Sequence, residues 1–302
     1  MDPGKCMCFS STSRFLTNGF VSSGNLTILP TQACHAVELT IALPENQKIY
    51  FASDFHLGAG GKQASLQREK LIVQWLEEIS ADAAHIFLLG DLFDFWFEYK
   101  SVIPKGYTRL LGKLAELSDR GIPVSVFIGN HDMWMNGYFE EEFHIPVYDK
   151  PLILHCQGKT FFLGHGDGLG PGDKGYKMLK RVFRNPFCRK LFATLHPSWG
   201  IAIANFFSKQ SRAATTAETF LGEDREWLVQ YCKQRLTEQH IDYFIFGHRH
   251  LALDIALPGG SRYINLGDWL RFYSYASFDA RDGLQLCYYS AHVPVKTSPL
   301  DG

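Results

Sequence analysis

Residues 127–134 read FIGNHDMW, and this stretch decides how the rest of the chain is read. The run VSVFI (124–128) is apolar and β-branched, as a buried strand should be, yet it stops at Gly129 and is followed at once by Asn130, His131 and Asp132. Polar groups at the end of a buried strand cost free energy unless something pairs with them. The same construction occurs four more times: Asp54 and His56 in SDFH after IYFA, Asp91 and Asp94 in GDLFD after IFLL, His165 and Asp167 in GHGD after TFFL, and His248 and His250 in GHRH after YFIF.

Each block alone has an ordinary structural reading. Asp-x-His can sit in a loop, Asp91 or Asp94 can cap a helix, Gly-Asn suits a turn, and a single histidine is a common side chain. Five such blocks, each after a β run, point instead to one site, because α/β folds place their sites beyond strand ends. Residues two apart on an extended chain point the same way, so Asp54/His56 and His248/His250 are expected to grip a cation in pairs. The donors Asp54, His56, Asp91, Asn130, His165, His248 and His250 form a nitrogen and oxygen set without thiolate. Such a set suits two first-row divalent ions, Mn²⁺, Fe²⁺ or Zn²⁺, rather than Ca²⁺, and Mn²⁺ is the expected pair. Two ions sharing the Asp91 carboxylate would clamp a phosphoryl group and acidify a water. His131 is then a proton donor or acceptor toward substrate, with Asp132 fixing its imidazole, while Asp94 can orient a neighbouring ligand.

The surrounding pattern is α/β. Strand runs alternate with helical periodicity expected over 67–80, 107–120 and 223–239, and the chain closes with β runs at SRYINLG, YSYASFD and LQLCYY. The layout predicts a β-sandwich flanked by helices over 37–295, preceded by a disordered N-terminal extension at 1–36. With 302 residues, 46% of them hydrophobic, the core can be large, and a net charge of −1 gives no global signal for nucleic acid. Seven cysteines in no regular framework, with no apolar run long enough to span a bilayer and no signal-peptide order, predict a cytoplasmic protein.

Residues 172–217 differ in character. From Lys174 to Ala217 there are nine Lys or Arg and no Asp or Glu, interleaved with Met178, Val182, Phe183, Phe187, Leu191, Phe192 and Trp199. Basic and bulky apolar residues on short helices fit a surface that lies on anionic membrane or closes over an acyl chain. The plainer alternative is an amphipathic hairpin packed on the domain with solvated lysines.

The ordered blocks DFH, GDLFD, GNHD, GHGD and GHRH resemble the calcineurin-like metallophosphoesterase superfamily. That likeness implies a four-layer α+β sandwich. It also implies one ion held by Asp54, His56, Asp91 and His250, a second held by Asp91, Asn130, His165 and His248, and His131 stabilising or protonating the departing group. The stretches GDLFDFWFEY, HGDGLGPGDKGYKMLKRVFRNP and SWGIAIANFFSKQSR are more specifically similar to the UDP-2,3-diacylglucosamine diphosphatase family of the lipid A pathway. This second likeness implies a helical lid at 172–217 and substrate contacts from Asn130, His131, Asp173, Tyr176, Ser208, Arg212 and His248. It further implies a lipid-linked nucleotide sugar as substrate and peripheral attachment to the cytoplasmic face of the inner membrane, with no nucleic acid expected and no protein partner implied. His131 stands where many members of the narrower family carry Arg. The alternative activity is hydrolysis of another phosphodiester, nucleotide or phosphoprotein, and since no metal donor is missing, an inactive scaffold is disfavoured.

Overall fold

The computed structural model describes residues 37–170, 174–200, 202, 219, 220 and 222–289. The expectation for residues 1–36 lies outside them, as do Asp173, Ser208 and Arg212 and the side chain of Tyr176.

Two six-stranded mixed sheets form the centre. One runs in the order β12 (Gly283–Tyr288), β11 (Ser274–Asp279), β2 (Lys48–Ala52), β3 (Ala83–Leu88), β4 (Val124–Phe127) and β5 (Val147–Tyr148). The other runs β1 (Val37–Ile41), β6 (Leu152–Cys156), β7 (Lys159–Leu163), β8 (Tyr243–Phe246), β10 (Arg262–Leu266) and β9 (Ala252–Ala256). Strands β2 to β5 are parallel, as are β7, β8 and β10, so their C-terminal ends gather at one end of the molecule.

Alternation along each strand sorts side chains between layers. Ile49 and Phe51 of β2, Phe161 and Leu163 of β7, and Ile245 of β8 meet between the sheets. Tyr50 and Ala52 point the other way, under α1 (Lys62–Ile79) and α2 (Thr108–Asp119), with α3 (Tyr138–Phe143) beside them. Phe162, Phe244 and Phe246 pack under the helix Trp227–Leu236, here α6. The result is helix, sheet, sheet, helix, the four-layer α/β arrangement anticipated above. Phe51 is the main bridge between the sheets, stacked on Phe87 at 5.5 Å and on Phe161 of the opposite sheet at 6.1 Å.

Helix ends depart from the periodicity for identifiable reasons. α1 starts at Lys62, not 67, and its additional first turn carries Ser65, whose Oγ accepts from Gly58 N at 2.8 Å. Arg68 donates to the carbonyls of His56 (2.7 Å) and Ala59 (2.9 Å), and the buried Glu69 carboxylate accepts from Arg109 N at 2.8 Å and Leu110 N at 3.2 Å, which caps α2. α6 is shorter than the expected 223–239 because Glu226 is an extended residue at its start whose carboxylate is engaged elsewhere. Helix α3 and strands β5, β6 and β9 carried no clear period and were not foreseen.

The region read as an insertion supplies α4 (Lys174–Arg184) and α5 (Pro186–Ala193), separated by Asn185, whose side chain accepts from Phe187 N at 2.8 Å. Phe183 and Phe192 turn inward against buried Phe95, Phe97 and Trp134, and the Trp134 indole donates to the Phe183 carbonyl at 2.9 Å. On another side of α4, Lys180 pairs with the buried Asp167 carboxylate and Lys177 donates to Gly170 O at 2.5 Å. Met178, Val182, Phe187, Leu191 and Trp199 remain exposed, Phe187 by 74%.

Replacing Phe51 with Ala removes the ring that joins the two sheets and should lower stability by about 3–5 kcal/mol. Equilibrium denaturation measures this, and a loss under about 1 kcal/mol would mean the sheets are held together elsewhere.

Candidate metal centre

All five sequence blocks meet beyond the C-terminal ends of β2, β3, β4, β7 and β8. Asp54 Oδ1, His56 Nε2, Asp91 Oδ2 and His250 Nε2 converge, with His56–His250 at 3.0 Å, Asp54–His250 at 3.3 Å, and Asp54–His56 and Asp91–His56 each at 3.6 Å. Donors held at ~2.1 Å around one ion stand roughly 3.0–3.4 Å apart, so this cluster has nearly the edge lengths of a coordination shell. Beside it, Asp91 Oδ2 lies 3.4 Å from His165 Nε2, which lies 3.0 Å from Asn130 Oδ1, which in turn lies 2.7 Å from His248 Nδ1. Asp91 therefore belongs to both groups.

The two carboxylates are built alike. Asp54 Oδ2 accepts from His248 N at 3.0 Å, and Asp91 Oδ1 accepts from His131 N at 2.8 Å, each tying one block's carboxylate to another block's backbone. The remaining oxygens, Asp54 Oδ1 and Asp91 Oδ2, are buried and have no hydrogen-bond partner among the described residues. A buried carboxylate oxygen left this way is destabilising unless a cation meets it. The nitrogen and oxygen donors around these two oxygens fit divalent metal ions.

The electrostatics already call for positive charge. Burial opposes a charged His250, but the neighbouring carboxylates of Asp268 and Asp54 push its pKa up to about 11. His165 is likewise opposed by burial and pushed up to about 10 by Asp91. Burial would raise Asp54, yet His250 and His56 hold it well below the usual carboxylate range. Burial and the neighbouring His165 take His248 down to about 4, leaving it a neutral donor.

Backbone conformation aims these side chains. Of nine non-glycine residues with positive φ among those described, five are Asp54, His56, Asp91, His248 and His250, with φ between 44° and 67°. The left-handed region is costly for residues with a Cβ and persists where surrounding structure enforces it. The expectation that Asp54/His56 and His248/His250 converge as alternate residues of an extended chain is thus corrected: tight left-handed turns after the strands do the aiming. Two glycines leave room for it. A Cβ on Gly129 would collide with the Asp91 carboxylate and its backbone nitrogen, and one on Gly247 with Asp54 and Ser53.

His131 sits at one end of the centre, its ring edge-on to His56 at 4.8 Å, and its Nδ1 donates to the Asp94 carbonyl at 3.1 Å. Asp94 Oδ1 lies 3.8 Å from His56 Nδ1 and 3.9 Å from His131 Nδ1, between both imidazoles. Asp132 does not meet His131. Its fully buried carboxylate accepts from Leu92 N at 2.7 Å, Phe93 N at 3.4 Å and Gly129 N at 2.8 Å, stitching the third block to the second. The catalytic role considered for Asp132 is corrected to a structural one, and Asp94 is the carboxylate beside His131.

Three supporting groups escaped the sequence reading. Buried Asp268 places Oδ2 3.4 Å from His250 Nδ1 and is itself held by Arg271, which donates to Asp268 Oδ2 at 3.1 Å and to the His250 carbonyl at 2.8 Å. A carboxylate behind a histidine fixes its tautomer and orientation. The Leu89 carbonyl does the same for His165 Nδ1 at 2.8 Å. Arg249, between the two histidines of the fifth block, forks onto buried Glu226 at 2.8 and 3.1 Å and anchors that turn to the start of α6. Only GDW, a Gly-Asp after the apolar run YINL, offered a signal for Asp268.

Residues 47–252 match the family model described as calcineurin-like phosphoesterase. A protein of Porphyromonas gingivalis named UDP-2,3-diacylglucosamine hydrolase is 40% identical over 246 residues, covering 77% of this chain and 94% of that one. Proteins of the same name from Nitrosococcus oceani (26% identical, 74% and 87% covered) and Aeromonas hydrophila (28% identical, 72% and 89% covered) are similar over the same span. With its five donor blocks joined in one buried centre, the chain belongs to the calcineurin-like phosphoesterase family, alongside relatives that bear the name UDP-2,3-diacylglucosamine hydrolase.

Proposed function

We propose that the chain is a dinuclear metal-dependent hydrolase that cleaves UDP-2,3-diacylglucosamine with water into UMP and 2,3-diacylglucosamine 1-phosphate, a step of lipid A biosynthesis. The observation that carries the chemistry is the pair of buried, unpartnered oxygens, Asp54 Oδ1 and Asp91 Oδ2, ringed by imidazoles. The likeness at 40% identity over nearly the whole of a relative with that name supports the substrate.

In this reading Asp54, His56, Asp91 and His250 would hold one ion and Asp91, Asn130, His165 and His248 the other, and Mn²⁺ is the ion proposed, with Fe²⁺ or Zn²⁺ also matching the mixed imidazole and carboxylate set. The ions, when bound, neutralise phosphoryl oxygens and acidify the attacking water. Asp94 orients His56 and His131 together. Since the Nδ1 proton of His131 is committed to the Asp94 carbonyl, Nε2 is the atom that carries or releases a proton. Burial keeps the His131 pKa low, and the charge of an approaching diphosphate favours its protonated form, which donates to the departing oxygen.

Among the described residues no helix is long and apolar enough to cross a membrane. The exposed Met178, Val182, Phe187, Leu191 and Trp199 beside the basic residues of α4 and α5 support peripheral attachment to an anionic membrane, the chain acting on its cytoplasmic face. The inward ring cluster of Phe95, Phe97 and Trp134 under Phe183 and Phe192 provides apolar cover for acyl chains near the centre, with α4 and α5 as part of a lid.

His131→Ala should retain its metal by elemental analysis while kcat falls ~10²-fold or more, and unchanged turnover would remove His131 from the chemistry. Asp91→Ala, which takes away the shared carboxylate, should lose bound metal and activity together. UMP release from UDP-2,3-diacylglucosamine, compared with hydrolysis of bis-p-nitrophenyl phosphate with and without Mn²⁺, tests the substrate; activity confined to the small ester would defeat the lipid reading. Replacing Phe187 and Leu191 together with Ser should weaken sedimentation with anionic vesicles by roughly tenfold or more, given ~1.5–3 kcal/mol per buried apolar side chain.

A further inference from the structure

A cavity of about 560 Å³ opens beside the His165 end of the centre, floored by His165 and Gly166, walled by Phe127 and Tyr148 near the ends of β4 and β5, and roofed by α4. Its volume lies within the roughly 300–1,000 Å³ of small-molecule sites. Its charge is positive. α4 turns Lys177, Lys180, Arg181 and Arg184 to it, at the spacing that places side chains on one helix face, and Lys150 lines it as well, beside the exposed Asp149. The one buried acid there, Asp167, is paired with Lys180, whereas Arg181 and Lys150 make no hydrogen bond or ion pair among the described residues. The half-buried Tyr148 ring lies tilted against Phe127 at 5.2 Å and adds an aromatic surface to the wall.

The opposite end of the centre has contrary chemistry. His131 and Asp94 lie there, and Phe95 leads directly into the apolar cluster with Phe97 and Trp134. A substrate with one anionic, flat-ringed half and one apolar half has only one orientation that matches both ends.

We infer that the cavity binds the nucleoside 5′-phosphate half of the substrate, its phosphate reached by Arg181 and Lys150 and its base against Tyr148, so that the apolar half lies on the His131 side. This rests on the diphosphate-hydrolase reading above and adds a polarity to it. Arginine and lysine supply the charge-assisted contacts a phosphate takes, and a tyrosine face receives a nucleobase by stacking.

The test uses the purified full chain, with and without Mn²⁺, and UMP as the probe. Irradiated 5-iodo-UMP should cross-link to the peptide containing Tyr148, and excess UMP should abolish the label. Arg181→Ala combined with Lys150→Ala should raise the calorimetric Kd for UMP by ~10-fold or more, while Arg189→Ala on α5 should leave it unchanged. A label on the peptides of Phe95, Phe97 or Trp134, no UMP-competed label, or a Kd unmoved in the double variant would each overturn the proposal. Labelling of Tyr148 without hydrolysis of UDP-2,3-diacylglucosamine would sink the substrate reading and leave the pocket standing. Hydrolysis with the label elsewhere would do the reverse.

Discussion

Everything in this protein is arranged around an electrostatic debt: two carboxylates, Asp54 and Asp91, buried at the meeting point of two sheets with one oxygen each left over. Left alone, such charges would oppose folding. The protein surrounds them with four imidazoles, fixes their other oxygens to backbone N–H groups of distant blocks, and sets the turns that bear them in left-handed conformation. Asp91 is the hinge of the arrangement because it faces His56 on one side and His165 on the other. Fold and chemistry are therefore not separable here, since the hydrogen bonds that join the sheet ends are made by the side chains that would bind the ions.

A supporting layer turns this cluster into a rigid centre. Asp268 with Arg271, the Leu89 carbonyl, Arg68 on the His56 carbonyl, and the Arg249–Glu226 fork each immobilise a turn that carries a donor. Asp132 belongs to the same layer. Its three backbone acceptor bonds hold the GNHD and GDLFD turns together, so the geometry between Asn130 and Asp91 depends on it.

The donor set could be read from the sequence because polar residues at the ends of five apolar runs are improbable for packing reasons alone. The layered fold was legible because apolar strand runs alternate with helical periods along the chain, which calls for sheets covered by helices. What could not be read follows a physical pattern. Asp268, Glu226 and Glu69 act through contacts with residues distant in sequence, which the local period of the chain around each of them does not report. The left-handed turns at Asp54 and His248 were hidden because neither residue is glycine. Asp132 misled because adjacency to His131 along the chain does not bring its carboxylate near the ring. In α4 and α5 the sequence left open whether the apolar residues pack on the domain or face outward, and the structure divides them: Phe183 and Phe192 turn inward and Met178, Val182 and Phe187 outward.

Helix α4 thus serves three environments from three azimuths: cations toward the cavity, Phe183 toward the ring cluster, and Met178 with Val182 toward the exterior. Each residue advances the helix by ~100°, so a single inserted or deleted residue would rotate every later side chain into the wrong medium. Exchange of like for like at any position keeps the assignment, but a change of length does not. The evolutionary freedom of this helix is accordingly in its composition, while its phase is the quantity that must stay constant.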